Sequence, residues 1–467
     1  MALSPLPLLL LLLLFGTALC AAQRSACPSA NTAPLAYATP AVAAGYTAHR
    51  IASGLSRPRS VVIDDRGQLL VSGSEQGVVG LVLDAAGCGV ERTVVVVASD
   101  GTGDHFNHGL ALSPDGKTLY ASTSGSAFSW SYDSSRLAAT NRRELVSGMS
   151  SAGHITRTLL VPSRHADLLL ISRGSNSNLD AGTTSLASGR SMIKVFNTTA
   201  IGTGKPADYT RDGVVLGWGL RNSVGVAENP ADGGIWSVEN SADQVTRYGV
   251  DFHRDNPGEE LNYHGGLDGI PEEAANYGYP SCVAVYDPTA IPRAGSLSIG
   301  SQFALAPNET STDATCNSDL FRSPRLTFAA HTAPLSLAFN GSTSAFVAFH
   351  GSWNRDDPVG YHVAVLDFSD DGQPRKTSGE KDPETRVMWN EDLGSCPDAC
   401  FRPAGVAVGR EGQVFVTADS TGDLWVLTRE RESATGRDQS AVSKRCTARS
   451  EVVLAVVLGM AVWNGLL

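Results

Sequence analysis

Charge is scarce in this chain of 467 residues: Asp, Glu, Lys and Arg together make up 18% of it, and 36 basic residues face 47 acidic ones. The net charge of −11 argues against nucleic acid as the main partner. Any bound anion must find a local cluster of arginine. Helical periodicity is hard to find anywhere, and with so few charges this excludes a coiled coil or a helical bundle. Aromatics are few, at 7%. The cysteines lack zinc-site spacing. The longest apolar runs stand at the two ends. What is plentiful is Gly (48) and Pro (23), the mix of a folded, loop-rich β protein.

Both ends read as processing signals. Leu8–Phe15 is an apolar run followed by the small residues Ala18, Cys20, Ala21 and Ala22, so residues 1–22 are expected to be a secretory signal peptide. Residues 452–467 are nearly all apolar, and a polar spacer, 431–451, precedes them. Small residues lie upstream at Ser433-Ala434-Thr435-Gly436 and Ser440-Ala441, the pattern of a GPI-anchor signal. Lys444, Arg445 and Arg449 precede the tail and no basic residue follows it, opposite to the usual membrane span. The expected location is extracellular, at the cell surface, with the membrane touched only through that anchor. Cys20 leaves with the signal or sits at its edge, and Cys446 lies in the segment the anchor reaction would remove. The six others, Cys27, Cys88, Cys282, Cys316, Cys396 and Cys400, are an even number in a secreted chain, which suggests disulfides. Cys396 and Cys400 can close a local loop, Cys282 and Cys316 a larger one, and Cys27 with Cys88 can tie down the N-terminus. Asn197, Asn308 and Asn340 head glycosylation sequons.

Between the ends, 23–430, one unit recurs six times. Each copy is an apolar strand, a tight turn and a second apolar strand. The copies begin at Pro58, His105, Gly153, Leu220, His331 and Phe401. A third β run follows, such as Val78–Leu83, Ser191–Phe196, Tyr361–Phe368 or Leu424–Leu427. A β unit repeating every ~45–70 residues is a propeller blade, so the chain is read as all-β, a six-bladed β-propeller. Tyr46–Ile51 is expected to lend an outer strand to the last blade. The wide gap between copies four and five predicts a long inter-blade insertion over 251–317.

Strands alternate in direction, so first-strand starts and second-strand ends share one face. The starts supply Arg57, His105, His108, His154, Arg157, Arg221, Asn222, His331 and Arg402. The ends supply Arg173, Asn176, Asn178, Glu239, Asn240, His350, Arg355 and Asp419. A mouth rich in Arg, Asn and His inside an acidic chain suits a flat polyanion bearing carboxylates and carbonyls, because guanidinium forks match carboxylates and Asn both donates and accepts.

The motifs carry a resemblance. Gly153-His154-Ile155-Thr156-Arg157-Thr158, Ser175-Asn176-Ser177-Asn178-Leu179-Asp180, Gly219-Leu220-Arg221-Asn222 and Glu239-Asn240-Ser241 come first. Glu260-Leu261-Asn262, Asn276-Tyr277-Gly278-Tyr279-Pro280, His350-Gly351-Ser352-Trp353-Asn354-Arg355 and Phe401-Arg402-Pro403 follow in order. Together they resemble the soluble glucose and sorbosone dehydrogenase family, and most of all its fungal secreted pyranose dehydrogenases. The resemblance implies an oxidoreductase that oxidises a pyranose using pyrroloquinoline quinone (PQQ) and Ca2+. It implies His154 as the general base. It places Arg402 on a cofactor carboxylate, Asn176 and Asn178 in the cofactor loop, and the carbonyls of Asn240, Ser241 and Ala242 on the calcium. His350, Trp353 and Arg355 occupy the loop where bacterial members carry a cofactor-binding lysine. Arg173, Arg221 and Asn222 join the cofactor-facing set from the mouth. Arg157, of opposite strand parity to His154, either faces the cofactor or braces the neighbouring blade. No Met/His pair for haem follows Thr428, so electrons are expected to pass to an external acceptor: a cytochrome, a quinone or a copper oxygenase. Two other readings compete. One is a calcium-dependent propeller lactonase with Glu239, Asn222, Asn176 and Asp419 as ligands. The other is a non-enzymatic surface propeller that binds protein or glycan.

Overall fold

A computed structural model describes residues 34–430, apart from 74, 100–104, 151 and 203. The two terminal signals, the GPI pattern and Cys27 lie outside the described residues. Among the described residues no helix is long and apolar enough to cross a membrane.

Six sheets of four or five strands, largely antiparallel, stand around one axis. Their inner strand pairs are the six repeats of the sequence: Pro58–Ile63 with Leu69–Gly73, Leu110–Leu112 with Thr118–Ser122, and Leu159–Leu160 with Leu168–Arg173. Ser223–Glu228 with Ile235–Glu239, Pro334–Asn340 with Ser344–Phe349, and Pro403–Val408 with Val414–Ala418 complete the set. First strands touch their neighbours in ring order. They enclose an axial cavity of about 500 Å³, to which each blade gives a wall residue: Val61, Leu110, Leu159, Val226, Leu337 and Val406. Tyr46–Ala52 pairs antiparallel with Asp423–Arg429, so the N-terminal part of the chain closes the sixth blade. That closure leaves no free seam in the ring.

Both faces of each blade are covered, which is why its strands read as continuous apolar runs. One core cluster fills each blade interface. Leu70, Leu119 and Trp130 lie between blades one and two. Tyr120, Ile171 and Tyr209 lie between two and three, and Leu170 and Val226 between three and four. Trp236, Phe328 and Phe349 lie between four and five, Phe346 and Trp425 between five and six, and Leu69 and Phe415 between six and one. Full burial of each large side chain contributes about 1.5–3 kcal/mol, so the ring is held by its six radial interfaces.

The insertion belongs to the fourth blade and does not lie between blades. Its first excursion leaves Ile235–Glu239, forms the hairpin Thr246–Arg247 with Val250–Asp251, and returns as the blade strand Glu259–Gly265. The second excursion runs from that strand to Leu326–Phe328. It lends Ala275–Asn276 to blade three and carries the hairpin Cys282–Ala284 with Gln302–Ala304. The sequence hid the strand at 259–265 because three of its four buried positions are Glu259, Glu260 and Asn262, which break the apolar pattern around Leu261. Disulfides join Cys282 to Cys316 and Cys396 to Cys400. Cys88 is disulfide-bonded as well. Asn197, Asn308 and Asn340 are exposed.

Candidate active site

His154 stands at the start of the third blade, on a loop that two glycines press against its neighbours. A Cβ on Gly153 would lie 2.3 Å from the Asn176 Cα, and Gly153 has φ +69. A Cβ on Gly174 would lie 2.5 Å from the Asn222 Oδ1 and 2.9 Å from the His154 Cβ. Only glycine lets His154, Asn176 and Asn222 approach this closely. The His154 Nδ1 lies 3.0 Å from the Ser175 carbonyl and 3.1 Å from the Ser175 Oγ. A carbonyl only accepts, so Nδ1 carries the proton and Nε2 keeps its lone pair. Burial, then the nearby Arg221 charge, pushes the imidazole down to about 4. It is therefore a neutral base with its tautomer fixed.

The next wall is built on Arg221, 6% exposed. Its guanidinium donates to the Asn178 carbonyl (3.1 Å), the Asn178 Oδ1 (2.9 Å), the Asn240 carbonyl (3.2 Å) and Asp243 (3.3 Å). The Asn178 amide in turn pairs with the Asp243 backbone, accepting at 2.8 Å and donating at 2.5 Å. Tyr279, brought over by the insertion, donates its hydroxyl to the Asn178 carbonyl at 2.9 Å. Behind the segment Asn240–Ala242 lie three buried glutamates. Glu239 accepts from the Arg221 N–H at 2.6 Å, and Glu259 from the Ser241 N–H at 2.6 Å. Glu260 faces Glu239 directly across the strands. Burial raises all three carboxyls, Glu259 and Glu260 to about 7.

The opposite wall joins blades five, six and one. Arg59 pairs with Asp419 at 2.6 Å. His350 lies 3.6 Å from Asp419, and its Nδ1 lies 3.1 Å from the Pro403 carbonyl. Arg402 donates to the carbonyls of His350 (3.3 Å) and Gly351 (3.4 Å), with its guanidinium 5.6 Å from the Tyr361 ring centre. Burial would raise Asp419, but His350 and Arg59 bring it down to about 2. Asn240 reaches across from blade four and donates to the Pro334 carbonyl at 2.8 Å.

His154, Asn176, Asn178, Arg221, Asn222, Asn240, His350 and Arg402 thus lie on loops tied to one another around the mouth. Others are placed differently. Arg157 is fully buried and donates to the carbonyls of Met149, Ser150, His154 and Thr156. Of its two expected roles it takes bracing, because its parity turns it inward, and it is no cofactor contact. Arg173, 5% exposed, donates to the Gly189 carbonyl at 2.9 Å and packs toward Tyr209, so it also braces. Arg355 donates to the Arg254 carbonyl (2.7 Å) and pairs with Asp255 (3.6 Å), latching its loop to the insertion. Trp353 is 68% exposed on the outer lip. The ligand set imagined for a lactonase metal does not assemble: Glu239 is engaged by the Arg221 N–H and Asn262, and Asp419 by Arg59. Sequence reasoning missed Arg59, Asp243 and Glu259. Arg59 lies two residues after the exposed Arg57, at the opening of the first blade strand, which was the available signal.

The arrangement fits a carboxylated polyanion, since Arg59 and Arg402 converge on one side and Arg221 on the other. It also fits a hard cation: Ser241 and Ala242 are buried, and no donor among the described residues reaches their carbonyls. Among the described residues no cluster of three or more His, Cys, Asp or Glu is arranged around a metal, so such a cation would rest on backbone oxygens.

The TrAA12-like family model matches residues 40–430. A pyrroloquinoline quinone-dependent sugar dehydrogenase of Hypocrea jecorina is 41% identical over 440 residues, covering 93% of this chain and 99% of that protein. A pyrroloquinoline quinone-dependent pyranose dehydrogenase of Coprinopsis cinerea is 35% identical over 409 residues, covering 83% of this chain and 54% of that protein. Among solved structures, the calcium structure of Trichoderma reesei Carbohydrate-Active Enzymes Family AA12 superposes with a TM-score of 0.81 at 41% identity, over 86% of this chain and 100% of that one.

Proposed function

The chain belongs to the TrAA12-like family, and from that membership we propose that it oxidises a pyranose sugar, an aldose or 2-ketoaldose, at C1 to the lactone or acid in a PQQ- and calcium-dependent reaction. The observation that carries this is the fixed tautomer of His154. Its Nδ1–H is held by Ser175, so the Nε2 lone pair is the group that takes the proton of the sugar C1 hydroxyl. PQQ, held with calcium, would supply a two-electron acceptor for the C1 hydride. Arg402 and Arg59 bind carboxylates on one side of the mouth. Asn176, Asn178 and Asn222 give amide contacts on the other, and the carbonyls of Ser241 and Ala242 hold the cation. Electrons leave to an external acceptor.

The test is to reconstitute the purified chain with PQQ and calcium and follow dye reduction with a panel of aldoses. We expect turnover that requires both additions and falls at least 100-fold in His154→Ala, the low end of what a general base contributes. Absence of PQQ binding at micromolar concentration would refute the reading and leave the surface-binding propeller in its place. Secretion, glycosylation at Asn197, Asn308 and Asn340, and a GPI anchor at the C-terminus are part of the same proposal. Release of the protein from intact cells by a phosphatidylinositol-specific phospholipase tests the anchor, and retention after that treatment argues against it.

A further inference from the structure

His331 belongs to no step described above, yet it is the most tightly held histidine of the mouth. It sits in the crossover from blade four to blade five, with 7% exposure. Its φ is +65 and that of Ala333 is +51, two non-glycine residues in the left-handed region within three positions. Such a backbone persists only where the surroundings impose it. Here the imposition is on the ring. Nδ1 lies 2.9 Å from the Asp243 carboxylate and Nε2 lies 2.6 Å from the His253 carbonyl. The carbonyl can only accept, so Nε2 carries a proton. The Asp243 carboxylate, which also faces Arg221, stands opposite Nδ1. Both ring nitrogens are engaged, and the ring is fixed in place. The other groups facing it are the Glu259 carboxylate and the His253 ring, edge-on at 5.8 Å. Burial opposes the charge, but Asp243 and the His253 carbonyl outweigh it and raise the imidazole.

The consequence lies one residue from the cation-holding carbonyls. Asp243 directly follows Asn240–Ala242, its backbone is paired with the Asn178 amide, and its carboxylate has two partners, Arg221 and His331. Arg221 also holds Asn178 and Asn240, so it cannot by itself fix Asp243 against the insertion. His331 can, because its other nitrogen is anchored on residue 253. We propose that His331 is a positioning residue of the cofactor site: with one ring nitrogen on Asp243 and the other on the His253 carbonyl, it clamps Asp243 between the insertion and the blade crossover and so sets the carbonyls of segment 240–242 and the Asn178 amide for binding. This rests on the PQQ- and calcium-dependent reading above.

The test has two readouts besides turnover. The first is nitrogen NMR of the cofactor-free protein labelled in histidine: hydrogen bonds at both ring nitrogens of His331 are expected, and a ring nitrogen without one overturns the proposal. The second is PQQ binding in saturating calcium, followed by tryptophan quenching. His331→Gln keeps one donor and cannot span both partners. It should bind PQQ about tenfold or more weakly, the scale of one charge-assisted hydrogen bond, and His331→Lys should recover most of that loss. Wild-type affinity in His331→Gln overturns the proposal alone. Failure of the wild-type protein to bind PQQ overturns the underlying reading, and the proposal with it. If His331→Gln does not fold, the NMR result on the wild-type protein still decides.

Discussion

Replacing Gly174 by Ala adds one carbon at the point where three site residues meet. The glycine does not have a positive φ, so its backbone accepts alanine and the effect is purely steric. The new Cβ would stand 2.5 Å from the Asn222 Oδ1, 2.9 Å from the His154 Cβ and 3.1 Å from the Arg221 carbonyl. Ordinary non-bonded contacts begin near 3.5 Å, so Asn222 must retreat by about 1 Å and His154 by about 0.6 Å. Overpacking of this kind costs about 1–3 kcal/mol, a small part of the stability of so large a ring. Displacing a reacting group by about 1 Å costs on the order of 100-fold in rate. The expected result is a folded protein, with its melting temperature lowered by a few degrees and kcat reduced about 10- to 100-fold. Calorimetry and dye-reduction kinetics on the PQQ-loaded protein measure the two. Gly266→Ala is the control, since a Cβ on that exposed glycine would meet nothing within 4 Å and should leave both unchanged. Wild-type kcat in Gly174→Ala would refute the claim that the close approach of His154 and Asn222 is what the site depends on.

Other outcomes follow from the same geometry. Because His154 is depressed to about 4, it stays neutral well below its ordinary range: at pH 5.5 about 97% of it would be the free base, against about 9% at the unperturbed value. The acid limb of kcat/KM should therefore fall near pH 4, and a limb at 6–6.5 would contradict the assignment. Arg157→Met leaves the carbonyls of Met149, Ser150, His154 and Thr156 without that donor. It should cost about 3 kcal/mol or more in urea unfolding, whereas an unchanged midpoint with lost PQQ affinity would return Arg157 to the cofactor. Arg402→Ala should do the reverse, weakening PQQ binding at least tenfold with little change in stability, as measured by quenching titration. Serine substitution of Cys282 and Cys316, 34 residues apart, should cost about 4 kcal/mol. The same change at Cys396 and Cys400, only 4 apart, should cost about 2 kcal/mol, since the closed loop is shorter. Equal losses by denaturant melts would contradict that scaling.

Much of this molecule can be read from its sequence, and the legible part has a common cause. Inner blade strands are buried on both faces, so each shows as an apolar run beside a Gly-rich turn, and six such pairs announce the ring. Tyr46–Ala52 was legible as the closing strand because it is a β run with no partner nearby in sequence. Strand Glu259–Gly265 was not, because Glu259, Glu260 and Asn262 are buried by hydrogen bonds and not by apolarity. Arg157 and Arg402 look alike in sequence, each an arginine at a blade's opening. Only packing separates them: one is enclosed by the carbonyls of its own loop, the other is left at the mouth beside His350.

The sequence by itself determined the all-β class, the number of blades and the face on which the polar ends gather, because strand periodicity and chain direction are local properties. The tertiary structure alone decided which polar ends are free to bind. Asp243, His331 and Arg59 enter the site through partners 22 to 360 residues away. The protonation of His154 and His331 follows from which carbonyl or carboxylate stands opposite each ring nitrogen. A hydrogen-bond partner brought from another blade leaves no trace in the residues next to it, so that part of the chemistry is written only in three dimensions.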